Sequence, residues 1–451
     1  MKSLDAFIAL NRFGLGPAPD EAAQVEPDPR AWIASQIGPQ PLPPALAGLD
    51  GSEPVLAALY RALASGDRDA RQAARLANRK AFPGAIMART RAMIASPAPF
   101  AERMVLFWSN HFTVSALKAN LGPAVPAYER EAIRPHVFGR FADMLRAVAR
   151  HPVMLIYLDN TASVGENSRA GQRVRANKGK DKTINENLAR EILELHTLGV
   201  HGGYDQQDVI ELARALTGWT HGGLRRRDPE TIHGGFEFRP NVHEPGPKTL
   251  LGKTYPEDGA NEGLAILDDL ARHPATARHI ATKLARHFIA DDPPDQAVDT
   301  LAKVFLDTEG DLAALSRALI DLPQVWAAPL PKVKTHYELA VATHRATGQT
   351  PRAREVIQPL REFGQLPFTA PSPAGWGDRA EDWIAPEALM RRIEWLRRFA
   401  GTLPATLYPD ELMEQALGPA LADDTRLWVE RAPSGDAALA MILASPEFQR
   451  R

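Results

Sequence analysis

The sequence predicts a mainly all-α protein, and two observations support this fold class. Apolar residues recur at three- and four-residue spacing through most of the chain, which is the period of one face of a helix. Alternating strand patterns are rare, and the best of them, GGFEFRP, spans residues 234–240. We therefore expect many helices, with a small β-hairpin or an extended arm near 233–255.

Four long helices follow directly from the apolar spacing, over residues 99–112, 137–151, 275–290 and 385–401. Pro274 suits the first turn of the third helix, where a missing N–H group has no cost. Asp311 is expected to cap a further helix, because its carboxylate can accept a free backbone N–H. The first residues of the chain predict a short amphipathic helix.

Loops are marked by proline-rich stretches at residues 38–46, 290–295, 328–332 and 367–378. The stretch SRAGQRVRANKGKDK, residues 168–182, carries six basic residues and one acidic residue, with almost nothing to bury. We predict that this basic stretch is a mobile loop.

Composition excludes several classes of function. The chain has no cysteine, which excludes disulfides, zinc–thiolate sites, iron–sulfur clusters and a cysteine nucleophile. Its 53 basic and 55 acidic residues leave a net charge of −2, so no nucleic-acid partner is expected. No apolar stretch reaches the roughly 18 residues of a membrane span, and no secretory signal pattern opens the chain. These patterns predict a cytoplasmic protein, and the sequence carries no nucleotide or haem signature.

The stretch TINENLAREILELHTLGV, residues 183–200, predicts a helix with an unusual polar face. Thr183 and Glu186 can form a capping box at its start, and Gly199 suits the left-handed residue that ends a helix. The polar face presents five side chains: Glu186, Asn187, Arg190, Glu191 and Glu194.

Two interpretations of this polar face stay open. Glu186, Arg190 and Glu194 are four residues apart, which favours ion pairs on a solvated surface. Against this, Asn187, Glu191 and Glu194 lie on one line, and two carboxylates so close together suit acid–base chemistry or a bound cation. The Glu-x-x-His pattern of di-iron helices is absent, which disfavours a carboxylate-bridged di-iron site.

Other candidate site residues lie outside this helix. His111 and Asn110 end an aromatic helix, and His111 is the best candidate for a general base. Asp159 follows an apolar run and could cap the next element or face the same cleft. His243 and Glu244 are adjacent in a histidine-rich region and form a weak candidate site for a divalent metal.

Several segments in order resemble the bacterial family catalogued as domain of unknown function 1800. They include NRFGLGP, FWSNHFTVS, YLDN, NENLAREILELHTLGV, HPATARHIATKLARHFIADDPP, APSPAGW and SPEFQ. The resemblance implies one helical domain over residues 1–451. Its parts are N-terminal helices in 1–150, a central motif region in 151–255 and C-terminal helices in 256–451.

The resemblance also bears on site residues and partners. It supports the five polar residues of the 183–200 helix as functional, together with His111, His243 and Lys248. Many members carry a histidine in place of Ser109 and an aromatic residue in place of His196, which weakens both as site residues. Members resemble products of genes that lie beside the genes of an exported alkaline-phosphatase- or sulfatase-like family. This resemblance implies that a partner encoded nearby is exported, and that the chain could be exported to the periplasm together with it.

These patterns lead to two hypotheses. The first is an enzyme, with hydrolysis or modification of an extracellular polymer as its expected reaction. In this enzyme hypothesis, Glu191 or Glu194 is the general base or cation ligand. Arg190 holds an anionic group of the substrate, and His111 moves a proton. Glu186, Asn187, Asn110, Asp159 and Lys248 would contact the substrate. The alternative is a non-catalytic binding or maturation partner of the exported protein, and a structural ion-pair network is a third interpretation of the helix.

Overall fold

The protein is mainly helical in the computed structural model, which describes residues 1–118, 121–178, 184–223, 229–328 and 330–451. The helices of the first third are α1 Leu4–Ile8, α2 Glu21–Val25, α3 Pro29–Ala34, α4 Pro44–Ala47, α5 Ser52–Ala64, α6 Arg68–Ala95, α7 Pro99–His111, α8 Ala124–Tyr128 and α9 Phe141–Arg150. Those of the central region are α10 Pro152–Tyr157, α11 Arg169–Lys178, α12 Asn187–Glu191 and α13 Gln206–Ala215.

The remaining helices follow the strands of the central region. They are α14 Ala260–Ala271, α15 Pro274–Phe288, α16 Asp295–Asp307, α17 Leu312–Asp321, α18 His336–Ala346, α19 Ala353–Glu362, α20 Pro386–Ala400, α21 Pro409–Ala416, α22 Asp423–Glu430, α23 Gly435–Ala444 and α24 Pro446–Gln449. Three π-helical segments extend α1, α8 and α12, at Ala9–Phe13, Glu129–Ile133 and Ile192–His196. Short 3-10 turns occur at Arg134–His136, Asn160–Ala162, Pro229–Thr231, Pro240–Val242, Pro323–Trp326, Ala380–Asp382 and Gly418–Ala420.

The few strands form two small antiparallel pairs in the described part of the chain. Strand β1 (Trp219–His221) pairs with β2 (Phe236–Phe238), and β3 (Lys248–Leu250) pairs with β4 (Lys253–Tyr255). The expected hairpin near 233–255 is thus confirmed as β3–β4. The GGFEFRP pattern also forms a strand, but its partner β1 lies upstream in the chain.

The predicted helices are confirmed in α7, α9, α15 and α20, with small shifts at their ends. Pro274 is the first residue of α15. Asp311 caps α17 by accepting a hydrogen bond from the Ala314 N–H at 2.9 Å. Helix α9 begins at Phe141, four residues later than predicted, and a 3-10 turn at Arg134–His136 lies before the predicted start.

The basic stretch 168–182 was wrongly predicted to be a loop over most of its length. Helix α11 occupies Arg169–Lys178, and residues 179–183 lie outside the described part. The Ser168 hydroxyl accepts a hydrogen bond from the Gly171 N–H at 3.1 Å, which stabilises the helix start. Arginine, alanine and glutamine are good helix formers, so a poorly buried sequence can still be helical here.

The acidic helix is shorter and less regular than predicted. Helix α12 starts at Asn187, where the Asn185 side chain accepts a hydrogen bond from the Asn187 N–H at 2.9 Å. After Glu191 it continues as a π-helix to His196. Gly199 has a φ of 81°, in the left-handed region. The proposed cap Thr183 lies outside the described residues.

Apolar side chains are buried in two clusters. The larger cluster joins the N-terminal, central and 260–330 helices, with Trp108 and Phe141 fully buried. The second joins α18 to the C-terminal helices through residues such as Leu339 and Leu396. No helix within the described ranges is long and apolar enough to cross a membrane. The organisation as one helical domain stays a prediction.

A buried charge network joins these two clusters around Glu338 on α18. The Glu338 carboxylate pairs with Arg103 of α7 at 2.5 Å and with Arg451 at 3.1 Å, and both guanidiniums are fully buried. Burial alone would raise the pKa of Glu338, but Arg451 and Arg103 together lower it below its ordinary range. Three further buried pairs support nearby helices: Arg89–Glu129, Arg134–Glu102 and Arg345–Glu21.

We predict that Glu338→Gln lowers the free energy of unfolding at pH 7 by about 3–5 kcal/mol, because two buried guanidiniums lose their countercharge. Urea denaturation measures the change. The matched control is Glu387→Gln, which removes the charge of a side chain that is 80% exposed and paired with Arg391, and should cost less than about 1 kcal/mol. Because the folded pKa of Glu338 is lowered, its contribution is present above its unfolded pKa and is lost as the pH falls. Equal effects of the two variants would contradict the assignment.

Candidate functional site

A cavity of about 250 Å³ lies between α7, α15, the start of α18 and the loop 367–378. Its walls are aromatic on one side, with Phe107, Phe368 and Trp376. The polar side chains that line it include Ser109, Asn110, His111, Lys283, His287 and Asp378. Three of the segments that carry the family resemblance, FWSNHF, KLARHF and APSPAGW, therefore contribute to one cavity.

Asn110 fixes the loop that carries Trp376 and Asp378. Its Nδ2 donates to the Trp376 carbonyl at 3.0 Å, and its Oδ1 accepts from the Trp376 N–H at 2.7 Å. Gly375 adopts a φ of 82°, and a Cβ atom there would lie 2.5 Å from the Asn110 carbonyl oxygen. The expected substrate-binding residue Asn110 is thus a positioning residue that holds the loop against the end of α7.

Helix α15 presents His279, Lys283 and His287 on one face, because each is four residues from the next. His279 Nε2 donates to the Leu195 carbonyl at 3.0 Å and therefore joins α15 to the π-helix after α12. A carbonyl can only accept, so Nε2 carries the proton. Lys283 and His287 continue this row into the cavity.

His287 lines the cavity, and its Nδ1 lies near both Asp378 and Arg451. Its Nδ1 lies 3.4 Å from Asp378 Oδ2, while its Nε2 is buried without a hydrogen-bond partner among the described residues. Burial lowers the pKa of His287 to about 4, helped by Arg451 and opposed by Asp378. His287 is therefore neutral at pH 7. Its Nδ1 meets an acceptor, Asp378 Oδ2, and a donor, Arg451 Nη2, each at 3.4 Å, and Asp378 favours the tautomer with the proton on Nδ1 while Arg451 favours the other.

Asp378 is held ionised by Lys332 and by Arg451, which also pairs with Glu338. Lys332 donates to its backbone carbonyl and lies 3.5 Å from Oδ1, and Arg451 lies 3.7 Å from Oδ1. Burial opposes ionisation, but His287, Lys332 and Arg451 lower the pKa of Asp378 below its ordinary range. The dyad of His287 and Asp378 is thus attached to the buried charge network.

Lys283 is a partly exposed cation in this cavity. No hydrogen bond or ion pair to its Nζ is formed within the described ranges, although it lines the same cavity as Asp378. Burial lowers its pKa to about 8, with Asp378 opposing and Arg286 adding to the effect. About nine in ten molecules therefore carry a charged Lys283 at pH 7.

His111 lies at the edge of the cavity, in an aromatic environment. Its Nε2 lies 3.1 Å from the His196 carbonyl oxygen, and its Nδ1 is buried with no partner among the described residues. Burial, followed by Lys283, lowers the pKa of His111 well below its ordinary value, and burial likewise lowers that of His196 to about 3. Both imidazoles are therefore neutral at pH 7.

The acidic helix residues lie apart from these imidazoles. Glu186 pairs with Arg190 at 2.9 Å, with the side chains 35% and 41% exposed, and Gln206 contacts both. Asn187 is exposed. In the described part of the chain, no hydrogen bond or ion pair connects this face to His111 or His243. The solvated ion-pair interpretation therefore fits Glu186 and Arg190 better than a closed cleft does.

Glu191 and Glu194 form a half-buried carboxylate pair on the next turn. Burial raises the pKa of Glu191, with a further contribution from Glu194 and an opposing one from Arg190. Tyr204 hydrogen-bonds to Glu194, and burial followed by this carboxylate raises the pKa of Tyr204. The like charges expected from the sequence are thus present, but their roles as base or cation ligand stay predictions.

His243 and Lys248 form a second buried group around Glu262 of α14. Glu262 Oε1 lies 2.9 Å from His243 Nε2 and 2.7 Å from Lys248 Nζ. The other His243 nitrogen, Nδ1, lies 2.8 Å from the Thr217 carbonyl oxygen. With both ring nitrogens engaged, His243 contributes to a structural contact between the β3 region and α14.

The two other predicted residues also have local partners. Glu244 accepts from the Asn167 backbone N–H at 2.9 Å and from its side-chain amide at 2.6 Å. Asp159 has a φ of 59° and pairs with Lys118 at 2.6 Å. No group of three or more potential metal-binding side chains is found within the described residues. The structure therefore gives no support to the weak His243–Glu244 metal site.

Comparison with known families decides what kind of chain this is. The family model described as protein of unknown function (DUF1800) matches residues 8–450. The chain belongs to this family. Searches of curated proteins and of solved structures found no match. For this DUF1800 protein, the function must therefore be inferred from the geometry of its sites.

Sequence reasoning missed Lys283, His287 and Asp378 as site residues of the DUF1800 chain. One signal was present, since three titratable residues recur every four positions on one face of the predicted 275–290 helix. The contact between His287 and Asp378 has no local signal, because the two residues are far apart in the sequence.

We predict that Asn110→Ala weakens the attachment of the 367–378 loop, because two hydrogen bonds to Trp376 are lost. The free energy of unfolding should fall by about 1–3 kcal/mol, and the Trp376 amide should exchange its hydrogen at least about tenfold faster. Hydrogen exchange followed by NMR measures the rate. Asn187→Ala is the matched control, because that exposed side chain makes no hydrogen bond among the described residues. Unchanged exchange at Trp376 would contradict the positioning role.

We predict that Glu191→Gln is neutral or raises the free energy of unfolding at pH 7 by a few tenths of a kcal/mol, because it removes repulsion from Glu194. A raised folded pKa means that ionised Glu191 disfavours folding, so the gain should vanish as the pH falls below about 4. Glu186→Gln should instead lower stability slightly, since Glu186 pairs with Arg190. Chemical denaturation at pH 7 and at a pH below about 4 separates the variants. A marked loss in the free energy of unfolding for Glu191→Gln at pH 7 would contradict the interpretation.

Proposed function

We propose that the protein is an enzyme that binds a small anionic substrate, or the anionic group of a larger one, in the cavity between α7, α15 and the 367–378 loop. One observation carries the proposal. His287 has Asp378 at Nδ1 and an unpartnered Nε2, and Lys283 lines the same cavity one helical turn away. This moves the expected chemistry from the acidic helix to α15.

His287 is suited to act as a general base. In the tautomer whose Nδ1 proton points at Asp378, the Nε2 lone pair can accept a proton from a water molecule or a substrate hydroxyl that reaches this buried atom. The ionised Asp378 then stabilises the imidazolium that forms. Activation of water makes hydrolysis the reaction class that this dyad supports best.

Lys283 supplies the charge that would select an anionic substrate. The other cations near the cavity already have countercharges, since Arg89 pairs with Glu129 at 2.6 Å and Arg103 with Glu338 at 2.5 Å. Lys283 has no such partner in the described residues, so an incoming carboxylate, phosphate or sulfate group would meet a cation that is not yet neutralised. The aromatic walls formed by Phe107, Phe368 and Trp376 would hold the apolar part of the substrate.

Hydrolysis of 4-nitrophenyl hydrogen succinate, an anionic ester, tests the proposal. We expect release of nitrophenolate by the wild type, and a loss of about 10²–10⁴-fold in kcat for His287→Gln, because the general base is removed. The control His201→Gln changes an exposed histidine and should leave the rate unchanged. The proposal would be contradicted if the wild type released nitrophenolate no faster than His287→Gln does.

The role of Lys283 has its own prediction. Lys283→Met should raise KM for the anionic ester by about 10-fold or more, because a charge-assisted contact is worth about 1.5–3 kcal/mol. It should have little effect on the neutral ester 4-nitrophenyl acetate. Lys303→Met is the control, since Lys303 is 74% exposed. Equal effects on both esters would contradict selection by charge.

The pH dependence follows from the two pKa values. His287 must be neutral, so kcat/KM should rise as the pH increases through about 4. Lys283 must be protonated to hold the anion, so kcat/KM should fall as the pH increases through about 8. In Lys283→Met the fall at high pH should disappear. If kcat/KM still falls at high pH in this variant, a group other than Lys283 causes the fall.

A further inference from the structure

The first half of α6 carries an arginine-lined groove on the helical hairpin of α5 and α6. Arg68, Arg71, Arg75 and Arg79 are spaced three or four residues apart and therefore share one side of the helix. Together with Leu63, Gln72 and Leu76 they line a groove of about 690 Å³. This arginine groove is separate from the cavity proposed as the active site.

The arginines of this groove have no countercharge. None of the four guanidiniums forms a hydrogen bond or an ion pair with any described residue, and the Nε of Arg71 is buried without a partner. Two acidic residues, Asp67 and Asp69, flank Arg68, and Asp67 is used in capping α6, where it accepts from the Asp69 N–H at 2.8 Å. A protein with a net charge of −2 thus concentrates positive charge on one face of one helix.

Apolar side chains share the groove with the arginines. Leu76 is 49% exposed and Leu63 is half-buried. A ligand that covers both kinds of surface needs carboxylates for the guanidiniums, which pair with them bidentately, and apolar side chains for the leucines. An acidic amphipathic protein segment has both, whereas an inorganic polyanion has no apolar part and a flat bilayer does not fit a concave groove.

We propose that the arginine groove is the docking site for an acidic, partly apolar segment of another protein chain. Carboxylates of the partner would pair with Arg68, Arg71, Arg75 and Arg79, and its apolar residues would pack on Leu63 and Leu76. The surface is independent of the chemistry at His287. Because the guanidiniums are mostly exposed, binding depends on several pairs acting together and weakens with salt.

Fluorescence anisotropy with the full-length protein tests the docking site. The probe is a fluorescein-labelled amphipathic peptide built from glutamate, alanine and leucine. We expect the wild type to bind it, with an affinity that falls as sodium chloride is raised. Arg71→Gln/Arg75→Gln should weaken binding by at least about tenfold, because two charge-assisted contacts are lost. Circular dichroism checks that the variant is folded.

The control variant removes the same charge elsewhere. Arg397→Gln/Arg398→Gln changes two exposed arginines of α20 that also lack ion pairs in the described part of the chain, and it should bind within about twofold of the wild type. Equal loss in the two variants would show a non-specific charge effect and overturn the proposal. Failure of the wild type to bind the peptide, or tighter binding to inorganic polyphosphate or to phosphatidylglycerol vesicles, would also overturn it.

Discussion

The buried carboxylate of Glu338 is the constraint on which the rest of the structure depends. It lies between Arg103 of α7 and Arg451 at the end of the chain, so one acidic group holds two fully buried guanidiniums. Such a group is costly to bury and is tolerated only when every partner stays in place. Arg451 also lies near Asp378, and the loop that carries Asp378 is held by Asn110 of α7. The geometry of the cavity therefore depends on contacts that join the beginning, middle and end of the sequence.

Burial determines the charge states in the cavity. The imidazoles of His111, His196 and His287 are neutral at pH 7 because desolvation lowers the pKa of each. Lys283 keeps most of its charge with a pKa of about 8. A lysine among neutral imidazoles can attract an anion without losing the proton acceptor beside it. The acidic helix offers neither feature, since Glu186 is neutralised by Arg190 and the half-buried pair Glu191–Glu194 meets tyrosines instead of imidazoles.

Much of the fold could be predicted from the sequence, because its signals are local. Apolar periodicity predicted α7, α9, α15 and α20, and the caps at Pro274 and Asp311 are confirmed. The same reasoning failed for α11, where lack of burial was taken as lack of structure. The candidate site was only partly predictable. His111 and Asn110 do line the cavity, but the contact between His287 and Asp378 is made by tertiary packing, which leaves no local trace in the sequence.

The protonation state of His287 is the most direct measurement of the central claim, which is that a neutral imidazole oriented by Asp378 has an Nε2 able to accept a proton. Nitrogen-15 NMR of histidine-labelled protein, with His287→Gln used to assign the signal, reports the charge and the tautomer. The proposed mechanism predicts a neutral ring at pH 7 with its proton on Nδ1 and a pKa of about 4. A positively charged ring at pH 7, or a neutral ring with its proton on Nε2, would contradict the account.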